Sequence, residues 1–239
     1  MNALEFRDVS AGYGVFRALF DVSLSVPAGT AVALVGPNGA GKTTIARVAS
    51  GLIAPSEGSV TVDGTDVTGK PAHAFARAGV AHAPEGRSVF ATLTVEENLT
   101  LSIQRIRGRR GVTAGLDHAY ELFPALGQRR QQLAGTLSGG EQRMLAMGRV
   151  LVDAPKLLIA DELSLGLAPL IVGQVYDSLR RLRDSGTALL VIEQHVSHAL
   201  ELCDEVVVME HGCVSWAGPS AEATERVQAF LYAGADPAD

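Results

Sequence analysis

The sequence predicts an α/β fold with a largely parallel sheet, an N-terminal antiparallel β subdomain and an inserted helical subdomain. Three observations predict it. Apolar strand-like runs at AVALV (31–35), KLLIAD (156–161) and TALLVIE (187–193) each lead into a helix-like segment, the alternation expected of parallel α/β layers. The N-terminal stretch instead carries short β-branched runs separated by Gly and Pro. Residues from about 86 to 153 lose strand character and take up helical spacing.

Taken in order, LEFRDV (4–9) and DVSLSV (21–26) read as the first strands. In the second, Val22, Leu24 and Val26 alternate as on a half-buried sheet. AVALV is apolar throughout, as in a central strand covered on both faces. A helix is predicted from about Lys42 to Gly51, then a hairpin in GSVTVDGTDV (58–67) turning at Asp63-Gly64. TVEENLTLSI (94–103), AYELF (119–123) and EQRMLAMGRVLVD (141–153) are the helices of the insert, with GRRGVTAG (108–115) a loop between them. Arg105, Arg107, Arg109 and Arg110 read as a solvated basic run. VVVME (206–210) and CVSWAG (213–218) flank His211-Gly212 as a late hairpin, and a last helix is expected near 220–232. The expected organisation is one domain over 1–239, with a core at about 1–85 and 154–239 and a helical subdomain at about 86–153.

The chain has 239 residues, 47% hydrophobic and 19% charged, which excludes a disordered or fibrous class. The net charge of −6 argues against a protein held to nucleic acid by bulk charge. Two cysteines are too few for a disulfide framework. The N-terminus lacks the basic and apolar regions of a signal peptide, and no apolar run approaches the length of about 18 residues that spans a bilayer. The sequence is therefore read as cytosolic, with any membrane role supplied through a partner.

GPNGAGKTT, Gly36 to Thr44, is the strongest chemical signal. It fits G-x-x-x-x-G-K-[ST] between a buried strand and a helix. A triphosphate needs many donors close to the backbone. Gly36, Gly39 and Gly41 allow a tight turn with inward N–H groups, Pro37, Asn38 and Ala40 complete the loop, and the helix N-terminus adds its dipole. Lys42 is expected on the β- and γ-phosphates, Thr43 on Mg²⁺, and Thr44 in the phosphate shell.

The second signal is KLLIADE (156–162), an apolar strand ending in two carboxylates. Ligands of open α/β sheets sit at the carboxyl ends of strands. Asp161 is placed to hold Mg²⁺, and Glu162 to polarise an attacking water as general base. The third is TLSGGEQRM (136–144), where Ser138 and Glu141 have capping-box spacing. Gly139 and Gly140 weaken that first helical turn, which makes sense where a ligand must approach bare backbone.

Together these residues resemble the nucleotide-binding subunits of ABC transporters over nearly the whole chain: GPNGAGKT as Walker A, LSGGE as the signature and LLIADE as Walker B. The resemblance implies an ABC-type P-loop NTPase core, an ATPase coupled to transport, and cofactors ATP and Mg²⁺. It also implies a dimer in which Ser138, Gly139, Gly140 and Glu141 of one subunit close over nucleotide held by the other. Tyr13 matches the adenine-stacking aromatic. Glu85 stands at the Q-loop, as a nucleotide contact and Mg²⁺ ligand, and the γ-phosphate switch falls to Gln194 or to the adjacent His195. PEGR (84–87) and SLGLAP (164–169) are similar to the smaller ATPase of high-affinity branched-chain amino-acid importers (LivF-type). Urea or short-amide importer ATPases and a soluble iron–sulfur-assembly-like scaffold ATPase are the alternatives. Leu163 departs from the family, where Pro follows the Glu, and Ala168 from its D-loop Asp. The implied partners are transmembrane permease subunits, a second ATPase subunit (a heterodimer in the transporter, a homodimer in isolation) and, indirectly, an external solute-binding protein, with no nucleic acid. The implied location is peripheral, on the cytoplasmic face of the plasma membrane.

Overall fold

A computed structural model describes residues 1–84, 89–151, 155–165, 167–193 and 196–223. The strands are β1 (Asn2–Tyr13), β2 (Phe16–Pro27), β3 (Ala31–Val35), β4 (Glu57–Val62), β5 (Thr65–Asp66), β6 (Val80–Ala83), β7 (Leu157–Asp161), β8 (Ala188–Glu193), β9 (Glu205–Glu210) and β10 (Cys213–Pro219). The helices are α1 (Lys42–Ala49), α2 (Ala72–Ala78), α3 (Val95–Arg107), α4 (Val112–Leu122), α5 (Pro124–Gly127), α6 (Gly139–Leu151), α7 (Pro169–Asp184) and α8 (Val196–Leu202).

Two sheets form. The first, ordered β2-β1-β4-β5, pairs antiparallel throughout. Its β4–β5 turn puts Asp63 at φ 48° and Gly64 at φ 73°, two positive φ values in succession as a two-residue hairpin prefers. The second sheet is ordered β10-β9-β3-β8-β7-β6. Here β3 pairs in parallel with β8 and β9, β7 pairs in parallel with β8, and β10 closes the edge antiparallel to β9. The strands β3, β7 and β8 are buried along their whole length. That explains their unbroken apolar sequences, since both faces are covered.

The chain divides into two compact units, 1–82 with 156–162 and 179–239, and 83–155 with 163–178. Residues 163–178, which the sequence boundaries put with the core, thus group with the helical unit. In the first unit, Leu4, Phe6 and Val9 of β1, Leu34 of β3, Ile45 of α1, Ile159 of β7 and Leu190 of β8 share one core. Each fully buried side chain of this size contributes about 1.5–3 kcal/mol.

The second unit is built on α3, α4 and α6, with Leu99, Ile103, Phe123, Leu126, Leu145 and Met147 buried. Thr94 caps α3 in a complete capping box with Glu97. Fully buried Asn98 pins the preceding segment: its Oδ1 accepts from the Phe90 amide at 2.8 Å, and its Nδ2 donates to the carbonyls of Phe90 (3.0 Å) and Thr94 (2.9 Å).

The loop expected over 108–115 is shorter than its sequence suggests. Residues 109–111 form a 3₁₀ turn, and α4 begins at Val112. Gly115, read as a loop residue, lies inside the helix, where a Cβ would stand 2.8 Å from Ile103 Cγ2. The glycine serves close approach between α3 and α4, a need set by packing and invisible in local sequence. The basic run is split likewise: the α3 backbone continues through Arg107, and Arg109 and Arg110 are exposed in the turn. Of the last predicted helix, 220–223 are helical and the remainder lies outside the described residues. Among the described residues no helix is long and apolar enough to cross a membrane.

Candidate functional site

The loop from Gly36 to Thr44 carries the chain from the end of β3 into α1. Gly36 has φ 154°, and a Cβ there would stand 2.3 Å from the Met209 carbonyl oxygen, so only glycine fits. The loop closes on itself through the Ala40 amide donating to Pro37 O at 3.2 Å, and it is tied to the β9–β10 turn through the Gly212 amide donating to Ala40 O at 3.0 Å. Gly41, at φ 104°, begins α1, and no side chain caps that helix. The first helical amides therefore face outward as bare backbone donors, the arrangement that suits a phosphate.

Lys42 is buried and folds its ammonium across the loop, donating to Gly36 O at 2.7 Å and Pro37 O at 3.1 Å. Thr43 is half-buried beside it. Thr44 is buried, and its Oγ1 lies 3.5 Å from the Tyr13 hydroxyl at the end of β1. Tyr13 also accepts a hydrogen bond from Arg47 Nη1 at 3.1 Å, and the Arg47 guanidinium sits 5.6 Å from the ring centre. Tyr13 is 42% exposed, at the foot of α1.

Sheet order brings the acids to this loop. Strand β8 lies between β3 and β7, with Val35 level with Glu193 and Asp161 level with Ile192. The strand ends thus align Lys42, Asp161, Glu162 and Glu193 along one sheet edge. Burial pulls the Lys42 ammonium below the ordinary lysine value, while the charges of Glu162, Asp161 and Glu193 oppose that shift. Asp161 and Glu193 are buried. Glu162 takes φ 48°, unusual for a side chain with a Cβ, and its amide donates to Ile192 O at 2.9 Å. The backbone thereby leaves the strand sharply at the residue after Asp161.

The signature residues belong to the second unit. Ser138 and Glu141 form the expected capping box: the Glu141 amide donates to Ser138 Oγ at 3.3 Å, and Glu141 Oε2 accepts from the Ser138 amide at 2.9 Å. Arg129 pairs with Glu141 Oε1 at 2.8 Å. Gly139 and Gly140 open α6. One turn further on, the buried Arg143 donates to Leu163 O at 3.2 Å and also bonds Leu165 O.

The family model for ABC transporters matches residues 19–164, the span that holds the phosphate loop, the signature and Asp161. The chain belongs to the ABC transporter ATPase family. The ABC ATPase is 44% identical over 209 residues to the high-affinity branched-chain amino acid transport ATP-binding protein BraG of Pseudomonas aeruginosa, covering 87% of this chain and 89% of that protein. It is 36% identical over 219 residues to the probable branched-chain amino acid transport ATP-binding protein LivF of Archaeoglobus fulgidus, covering 91% and 92%. A solved ATP-binding subunit of an ABC transporter superposes with TM-score 0.83 at 28% identity over 98% of this chain and 95% of that one. The ADP conformation of an ATP-binding cassette of an ABC transporter gives TM-score 0.81 at 26% identity, covering 99% and 96%. The ABC ATPase binds ATP and couples its hydrolysis to transport.

Of the residues predicted from sequence, the structure brings Lys42, Thr43, Asp161 and Glu162 to one edge, with Tyr13 beside Thr44. Ser138, Gly139, Gly140 and Glu141 lie at the start of α6. Glu85, Gln194 and His195 lie outside the described residues. Three residues escaped the sequence reading. Glu193 ends a strand whose place between β3 and β7 no local pattern reveals. His82 sits on β6, its ring reaching Asp161. Arg143 was hidden inside a helical pattern, although a charge at a buried helical position is itself a signal.

Proposed function

We propose that this ABC ATPase is the motor subunit of an importer for branched-chain amino acids, the solute named for the BraG and LivF relatives. The observation that carries the site assignment is the alignment of the phosphate loop with Asp161 and Glu162 on one sheet edge. ATP would lie with its phosphates on the amides of 36–44, and Lys42 would exchange its loop carbonyls for phosphate oxygens. Tyr13 offers the half-exposed ring for adenine.

The residues fit Mg²⁺. Asp161 Oδ1 is buried with no hydrogen-bond partner among the described residues, as suits a hard cation ligand. Asp161 and Thr43 would hold the ion, with Glu85 added on resemblance. When bound, it would neutralise phosphate charge. Glu162 takes the proton of the attacking water. Gln194 or His195 senses the γ-phosphate, and the Ser138–Glu141 turn of a second ATPase subunit closes the nucleotide sandwich. Transmembrane permease subunits receive the motion, which places the chain peripherally at the cytoplasmic side of the membrane.

Replacing Glu162→Gln tests the chemistry. Turnover should fall at least ~10²-fold while MgATP binding by calorimetry persists, in the range for a lost general base. Undiminished turnover refutes the assignment. Purification from native membranes tests the importer: hydrophobic permease subunits should co-elute, with a branched-chain amino acid bound by the associated solute receptor.

A further inference from the structure

The environment of His82 carries a role that the phosphate loop and acidic strand end do not explain. His82 lies on β6, the neighbour of β7 in the sheet. Its ring is nearly buried, with the side chain 12% exposed, and the Asp161 side chain is 4% exposed. Nε2 faces Asp161 Oδ2 across 3.9 Å, too far for a hydrogen bond. Nε2 and Asp161 Oδ1 are both buried without a hydrogen-bond partner among the described residues. Two neighbouring side chains that each bury an unpartnered polar atom are unusual, because buried polar groups are nearly always paired. A shift of about 1 Å would bring Nε2 to hydrogen-bond distance from Oδ2.

We propose that His82 is a positioning residue for the nucleotide's metal. Its Nε2–H donates to Asp161 Oδ2 when the metal is held, which fixes the carboxylate with Oδ1 turned toward the ion. One carboxylate oxygen then serves the cation and the other the imidazole. Both orphaned atoms are satisfied by a single adjustment. Carboxylate ligands are commonly oriented by such an outer partner, whose loss weakens metal affinity by about 10–100-fold. The inference rests on Asp161 being a metal ligand, as argued above.

The test uses the full chain in the Glu162→Gln background, so that ATP persists, with Mn²⁺ as the probe. Mn²⁺ affinity in the presence of ATP is read by electron paramagnetic resonance, and metal-free ATP binding is measured in chelator. His82→Phe should weaken Mn²⁺ binding about 10–100-fold, leaving metal-free ATP binding unchanged. His82→Gln, whose amide donates from a similar position, should restore most of the affinity. Asp161→Asn separates the two readings. If it weakens Mn²⁺ binding while His82→Phe does not, the role of His82 is wrong and the metal assignment stands. If neither variant changes Mn²⁺ binding, the metal assignment itself is wrong. Equal losses in His82→Phe and His82→Gln would reduce His82 to packing. A nitrogen coupling resolved on bound Mn²⁺ would place the ring in the coordination shell. Either result overturns the proposal.

Discussion

The guanidinium of Arg143 donates to the carbonyl oxygen of Leu163 at 3.2 Å, joining the second turn of the signature helix to the residue that follows Glu162. The same nitrogen bonds Leu165 O, so one cation holds the turn leaving β7. Leu163 is itself buried. A packed leucine and an arginine clamp fix the backbone after the acid.

Removing that clamp should therefore cost both stability and activity. Arg143→Leu leaves two carbonyls without their charged donor inside the second unit. Hydrogen bonds to charged groups contribute about 1.5–3 kcal/mol. Denaturant unfolding should show a loss in that range. ATP turnover should fall by more than ATP binding does, because the affected turn is continuous with Glu162 and not with the phosphate loop. A variant with unchanged turnover would separate the clamp from the catalytic acid.

The two cysteines give a readout of the first unit's packing. Cys203 is buried after α8, and burial together with the Asp204 charge pushes its thiol up to about 12, against a lowering pull from Arg183. Cys213 is exposed at the start of β10. The thiolate is the reactive species, so an aromatic disulfide reagent at neutral pH should titrate one thiol in the folded protein and two after denaturation. Mass spectrometry should place the first label on Cys213. Rapid labelling of Cys203 without unfolding would contradict its burial.

The legible part of the molecule was the part written in contiguous residues. Gly36 to Thr44, Asp161-Glu162 and the Ser138–Glu141 box each have their meaning within nine residues of chain. The β3, β7 and β8 strands were legible because burial on both faces forces apolar runs. What stayed hidden depends on neighbours far along the sequence. Glu193 and His82 gain their significance from sheet order alone, which sets them on either side of Asp161's strand. Gly115 looked like a loop because glycine usually breaks helices, yet Ile103 on a separate helix demands the missing side chain. The end of the α3–α4 connection was misjudged for the same reason.

The capping box of the signature helix offers a pH-dependent test. Burial pushes the Glu141 carboxyl up, but the Ser138 amide and hydroxyl and the Arg129 guanidinium outweigh it, leaving the group below the ordinary glutamate value. A carboxyl lowered on folding stabilises the native state fully above its unfolded value, about pH 4.3, and that contribution is lost as the pH falls through the lower folded value. Ser138→Ala removes the hydroxyl that accepts from the Glu141 amide and donates to its carboxylate. At neutral pH the variant should lose about 1 kcal/mol, the usual cost of a missing N-cap. As the solution is acidified below about pH 4.3, wild type should lose stability faster than the variant, and the gap should narrow. Equilibrium unfolding of both proteins from pH 7 to pH 3 measures it. A gap that stays constant or widens in acid would mean the carboxylate does not couple to Ser138, and the signature turn would then be held by its backbone alone.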